Sequence, residues 1–166
     1  PINPADIDAK NLLARSKFPF VAGSDGLATV VKVGEGVKNL NEGDWVIPYA
    51  ADMGTWRSLA VWKEKQLIKL PQDILSMEYA AMMREMCVAY RLLEDFGNLK
   101  PGDAVVLNAA TSTVGQCVVQ LCAMLKLRAV AVVRDRKDFD KTSDWLKSLG
   151  ASEVLKDEGS ITHELS

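Results

Sequence analysis

The sequence predicts an α/β protein, a short β-rich segment followed by part of a doubly wound parallel sheet. Two observations carry this. Up to about Leu70, short apolar runs are punctuated by glycine and proline, the pattern of strands in a small barrel or sandwich. Beyond Pro71, strand-like and helix-like runs alternate as βαβαβ, because parallel neighbours need a crossover between them. The 166 residues fit one large domain or two small incomplete ones, and the change of period divides them into 1–75 and 76–166.

In the first segment, residues 26–33 read as a strand closed by the Gly34-Glu35-Gly36 turn. Residues 45–48 read as a second strand, entered through a turn at 41–44, and residues 59–62 and 66–69 as two more. In the second segment, residues 77–96 are predicted as one helix, with Ser76 as N-cap and Gly97 just past its end. A strand at 104–107, a helix at 113–127 and a strand at 129–133 follow. A helix at 140–149, stopped by Gly150, leads to a short strand at 153–155.

Hydrophobic residues make up 48% and charged residues 25%, the balance of a globular chain large enough to bury a core without staples. The net charge of −2 offers no basic field for nucleic acid, and no apolar run approaches the roughly 20 residues of a membrane span. Cys87, Cys117 and Cys122 form neither a disulfide framework nor a paired zinc pattern. All three fall in apolar helical stretches, where they read as small core hydrophobes in a reducing compartment. The single histidine, His163, lies in a polar tail and offers neither a triad nor a metal site.

Chemistry concentrates where the strand at 104–107 runs through Asn108, Thr111 and Ser112 into a helix beginning Thr113-Val114-Gly115. Such a turn aims helix N–H groups at a diphosphate, and Gly115 would allow close helix–strand packing, although Thr113 stands where a glycine is expected. An ordinary βα turn would also fit. Arg134 follows Gly115 by 19 residues at the end of the next strand. An acid at that distance would take the ribose hydroxyl of NAD, whereas arginine suits the 2′-phosphate of NADP; a solvated charge run is the alternative.

Several motifs together make the chain resemble the zinc-free medium-chain dehydrogenase/reductase superfamily, in particular the mitochondrial trans-2-enoyl-CoA (enoyl-ACP) reductases. They are Pro1-Ile2-Asn3-Pro4-Ala5-Asp6-Ile7, Gly43-Asp44-Trp45-Val46-Ile47-Pro48, Gly54-Thr55-Trp56 and Ala89-Tyr90-Arg91-Leu92-Leu93. To these add the 108–116 loop and Val132-Val133-Arg134-Asp135-Arg136. The resemblance implies a partial GroES-like domain followed by a partial Rossmann domain that binds NADPH through Asn108, Thr111, Ser112, Thr113, Val114, Gly115, Arg134 and Arg136. It further implies hydride transfer to the β-carbon of a 2-enoyl thioester held between the domains, in mitochondrial fatty acid synthesis. Zinc-dependent relatives carry Gly-His-Glu where this chain reads Gly23-Ser24-Asp25-Gly26, so no metal is expected.

The chain departs from the family at catalytic positions. The family tyrosine that assists protonation precedes a segment corresponding to Phe18-Pro19, yet no tyrosine lies between Asp6 and Phe18. Tyr49 and Tyr90 belong to other motifs. The family Asn-Pro-x-Thr is replaced by Glu85-Met86-Cys87-Val88, which puts an anion in place of an amide and removes a hydroxyl. Only three parallel strands are counted, where such a domain needs about six, so further sequence or a protein partner is expected to cover the sheet edge. Three readings follow: an impaired or incomplete enoyl-thioester reductase, a non-catalytic subunit of a larger mitochondrial complex, or a quinone-oxidoreductase-like protein that needs no tyrosine.

Overall fold

A computed structural model describes residues 2–7, 19–135 and 137–157. Arg136, Phe18 and His163 lie outside the described residues. The chain divides into two compact units, Pro1–Arg84 and Glu85–Ser166.

The first unit opens with a one-turn helix, α1 (Pro4–Ile7), and holds an antiparallel sheet of β1 (Ala28–Thr29), β2 (Trp45–Pro48) and β3 (Leu67–Leu70) in that order. Trp45 pairs with Leu70 and Ile47 with Ile68. The turn into β2 is held by the Asp44 carboxylate, which accepts from the Asn41 N–H at 2.8 Å. Ile47, Leu70 and Ala80 form the buried core, flanked by Leu27, Trp45, Leu75 and Met83.

Two expected strands differ here. Of residues 26–33 only Ala28 and Thr29 are strand, because opposite Val30 the partner segment is already the 41–44 turn, which Val30 meets through the Asp44 carbonyl and the Gly43 N–H. Residues 59–62 form no strand; Leu59 and Val61 are exposed, and an apolar alternation becomes a strand only beside a partner. Both segments instead line an open groove of about 990 Å³ that includes Val30, Val33, Val37, Leu59, Trp62 and Leu67.

The expected helix over 77–96 is two helices, α2 (Met77–Ala81) and α3 (Met83–Glu94). Ser76 caps α2 by accepting from the Tyr79 N–H at 3.5 Å. The break comes at Met82, whose N–H reaches back only three residues to the Tyr79 carbonyl, the tight spacing of a helix end.

The second unit is a parallel sheet in the order β4 (Ala104–Leu107), β5 (Arg128–Arg134), β6 (Glu153–Asp157). The crossovers are α4 (Thr113–Met124) and α5 (Phe139–Ser148). β5, paired on both edges, is buried from Ala129 to Val133. The core joins Ala129, Ala131 and Val133 to Ala89 and Leu93 of α3, Val118, Val119 and Cys122 of α4, and Leu146 of α5.

Both crossover helices end in the same motif with different residues. After α5, Gly150 takes φ +113° while the Ala151 N–H bonds the Leu146 carbonyl. After α4, earlier than the 127 expected, Lys126 takes φ +59° while the Leu127 N–H bonds the Cys122 carbonyl. A lysine there carries a Cβ into the left-handed region that glycine enters freely. The expectation that all three cysteines pack into the core is corrected at Cys87, which is exposed on α3; Cys122 is buried and Cys117 partly so.

Candidate functional site

The 108–116 turn is shaped by backbone crowding. Ala109 adopts φ +50°, which folds the chain sharply off β4, and Ala110 is fully buried beneath the turn. The Ser112 N–H closes the turn onto the Ala109 carbonyl at 2.9 Å. Ser112 then caps α4, its hydroxyl oxygen accepting from the Gly115 N–H at 3.1 Å. A Cβ on Gly115 would lie 2.6 Å from the Ala109 oxygen and 2.7 Å from the Ala110 Cα, so only glycine lets the helix start so close to the turn.

The first-turn N–H groups of Thr113 and Val114 have no partner within a helix, and that turn carries no acidic side chain to oppose an anion. Asn108 and Thr111 are exposed at the same mouth, where the Thr111 carbonyl accepts from Gln116 Nε2 at 2.9 Å.

Arg134 lies exposed at the carboxyl end of β5. Parallel pairing sets Leu107 beside Ala131, so β5 runs three residues further, about 10 Å, on the edge where the 108–116 turn sits. Of the expected cofactor residues, all but Arg136 are therefore described at one edge of one sheet. Asp135 and Lys156 had not been singled out from the sequence. Lys156 Nζ lies 3.2 Å from Asp135 Oδ1 and 4.9 Å from the centre of the Phe139 ring.

Glu85 stands four residues before the buried Ala89 and so shares its face of α3. One of its carboxylate oxygens is buried. Burial pushes the Cys117 thiol up, and the nearby Glu85 carboxylate pushes it the same way. Burial alone raises Cys122, so in both the environment favours the protonated thiol. Val88, where the family carries a hydroxyl, is exposed.

The first unit holds a polar cluster that sequence reasoning missed. Asp25 is buried and accepts from Arg84 Nη1 at 2.8 Å and from Asn3 Nδ2 at 2.7 Å. Its carbonyl accepts from Thr55 Oγ1 at 2.8 Å. Two glycine-bearing strips cross here, with the Gly54 N–H donating to the Gly23 carbonyl at 2.9 Å. A cleft of about 600 Å³ opens beside the cluster, lined by Ile2, Asp25, Thr55, Trp56, Met77 and Glu78. Only the flanking glycines hinted at Asp25; its partner Arg84 is 59 residues away. Among the described residues no group of three or more His, Cys, Asp or Glu side chains could hold a metal ion. Among them, too, no helix is long and apolar enough to cross a membrane.

Comparison with known proteins gives this architecture a lineage. The alcohol dehydrogenase GroES-like domain family matches residues 1–72. The human mitochondrial enoyl-[acyl-carrier-protein] reductase is 49% identical over 160 residues, covering 95% of this chain and 43% of the relative. The chain thus spans less than half the length of that relative. The mitochondrial 2-enoyl thioester reductase Etr1p/Etr2p heterodimer from Candida tropicalis superposes with a TM-score of 0.86 at 31% identity, over 99% of this chain and 51% of that one. The Etr1p/NADP/crotonyl-CoA complex gives a TM-score of 0.86 at 30% identity, with the same coverage of 99% and 51%. In sequence and in fold, the chain is similar over nearly its whole length to mitochondrial enoyl thioester reductases, and its residues 1–72 match the alcohol dehydrogenase GroES-like domain.

Proposed function

We propose that this chain is the NADPH-gripping portion of an enoyl thioester reductase of mitochondrial fatty acid synthesis, working in the matrix, and that its catalytic step is impaired. The carrying observation is the start of α4, packed against Ala109 through Gly115, with Arg134 on the same sheet edge. The crowded glycine and the acid-free first turn fit a dinucleotide diphosphate. The Thr113 and Val114 N–H groups would bind it, while Asn108, Thr111 and Ser112 line the turn. The Arg134 guanidinium would take the 2′-phosphate, with Arg136 beside it in sequence. A solved neighbour supports the cofactor, since it is a complex with NADP and crotonyl-CoA.

When bound, the reduced nicotinamide supplies hydride to the β-carbon of the enoyl thioester. The chain's own residues serve the remaining steps poorly. Negative charge develops on the thioester oxygen, and a donor aimed at it would lower the barrier. An ionised Glu85 can only accept hydrogen bonds and would oppose that charge, and Val88 adds no hydroxyl. No tyrosine stands between Asp6 and Phe18 to deliver the α-carbon proton. These substitutions also favour a second reading, a non-catalytic subunit of a larger complex.

Incubating the full-length protein with NADPH and crotonyl-CoA separates the outcomes. Cofactor binding without crotonyl-CoA-dependent oxidation is expected; rapid NADPH oxidation would contradict the impairment.

A further inference from the structure

Resting on the NADPH reading, we infer that Lys156 is a specificity-determining residue, neutralising an acid inside the 2′-phosphate arm and so setting the preference for NADPH over NADH. Asp135 directly follows Arg134 at the exposed end of β5. Unopposed, a carboxylate there would repel a 2′-phosphate and welcome a ribose 2′-hydroxyl, the NAD pattern. Lys156 answers it from the neighbouring strand, its ammonium 3.2 Å from Asp135 Oδ1.

Three elements fix that ammonium. Lys156 stands on β6 in register with Val133, Asp135 follows β5, and Phe139 begins α5 and presents its ring at 4.9 Å. Charge counting shows what the contact does. Arg134 and Lys156 are opposed by Asp135 and by Asp157, the register partner of Arg134, so these four groups sum to zero. Removing Lys156 takes one positive charge from the edge where a phosphate is to bind and leaves the Asp135 carboxylate without the ammonium beside it. The Lys156 and Asp135 side chains are 41% and 56% exposed, so screening keeps the effect to about three- to fivefold in affinity, shrinking with added salt.

The test is calorimetric titration of the full-length protein with NADPH and with NADH at low salt, for wild type, Lys156→Ala, Lys156→Ala/Asp135→Asn and Arg134→Ala. Lys156→Ala should weaken NADPH about three- to fivefold while NADH is unchanged or tighter. Adding Asp135→Asn should restore NADPH affinity, which a merely structural role for the lysine would not do. If Lys156→Ala leaves the NADPH/NADH ratio at the wild-type value while Arg134→Ala collapses it, the inference is overturned and the NADPH reading stands. Equal weakening of both cofactors without rescue also overturns it. A wild-type protein with no preference for NADPH overturns the reading and the inference together.

Discussion

Gly115 and Ala109 meet backbone to backbone: a Cβ on Gly115 would lie 2.6 Å from the Ala109 carbonyl oxygen. Neither atom sits on a flexible side chain, so the contact cannot be relieved without moving the turn or the helix. Gly115→Ala should therefore destabilise the second unit by about 1–3 kcal/mol, the range of core overpacking. Urea unfolding followed by far-UV circular dichroism checks this; an unchanged midpoint would mean the turn is looser than described.

The two helix ends predict opposite signs. Lys126→Gly relieves a left-handed penalty of about 1–2 kcal/mol but adds glycine's unfolded-state entropy, for a net gain of about 0.5–1 kcal/mol. Gly150→Ala introduces that same penalty, and its Cβ would lie 2.7 Å from the Ala123 Cβ. It should cost at least about 1–2 kcal/mol. Paired thermal melts of the two variants test both signs at once.

Arg84→Ala should leave the buried Asp25 carboxylate short of its guanidinium donor. The arginine side chain is 39% exposed, so water replaces part of what is lost and the cost falls toward the lower end of about 1–3 kcal/mol. Asp25→Asn in the Arg84→Ala background should recover stability by removing the stranded charge. A double-mutant cycle by denaturant unfolding measures the coupling; additive effects would argue against the pair.

Acid should weaken the first unit. The hydrogen bond from Lys69 at 2.7 Å, aided by the Asn41 N–H, holds the Asp44 carboxyl below its ordinary 3.8. The Glu64 carboxyl is lowered by the Asn39 N–H and more weakly by that of Lys38. A depressed carboxyl contributes stability above its unfolded value, and that stability is lost as pH falls through the folded one. Melting temperature should therefore drop as pH falls below about 4. In Lys69→Met, the Asp44 carboxyl followed by NMR should titrate closer to its ordinary value.

The parallel half was the more legible in sequence. Its strands and helices alternate in long apolar runs, and Ser112, Gly115 and Gly150 mark ends by their chemistry. The antiparallel half was harder, because residues 59–62 alternate like a strand yet have no partner beside them. Met82 breaks a helix with neither glycine nor proline to announce it. The turn residues and Arg134 could be read from spacing. Partners distant in sequence could not: Arg84 with Asp25, and Lys156 with Asp135, meet only after folding.

The central claim is that the α4 turn and Arg134 grip NADPH, and titration of the full-length protein before and after Arg134→Ala tests it most directly. Losing a charge-assisted contact of about 1.5–3 kcal/mol predicts NADPH affinity reduced about ten- to hundredfold, with NADH affinity unmoved. Equal NADPH affinity in wild type and variant would contradict the account.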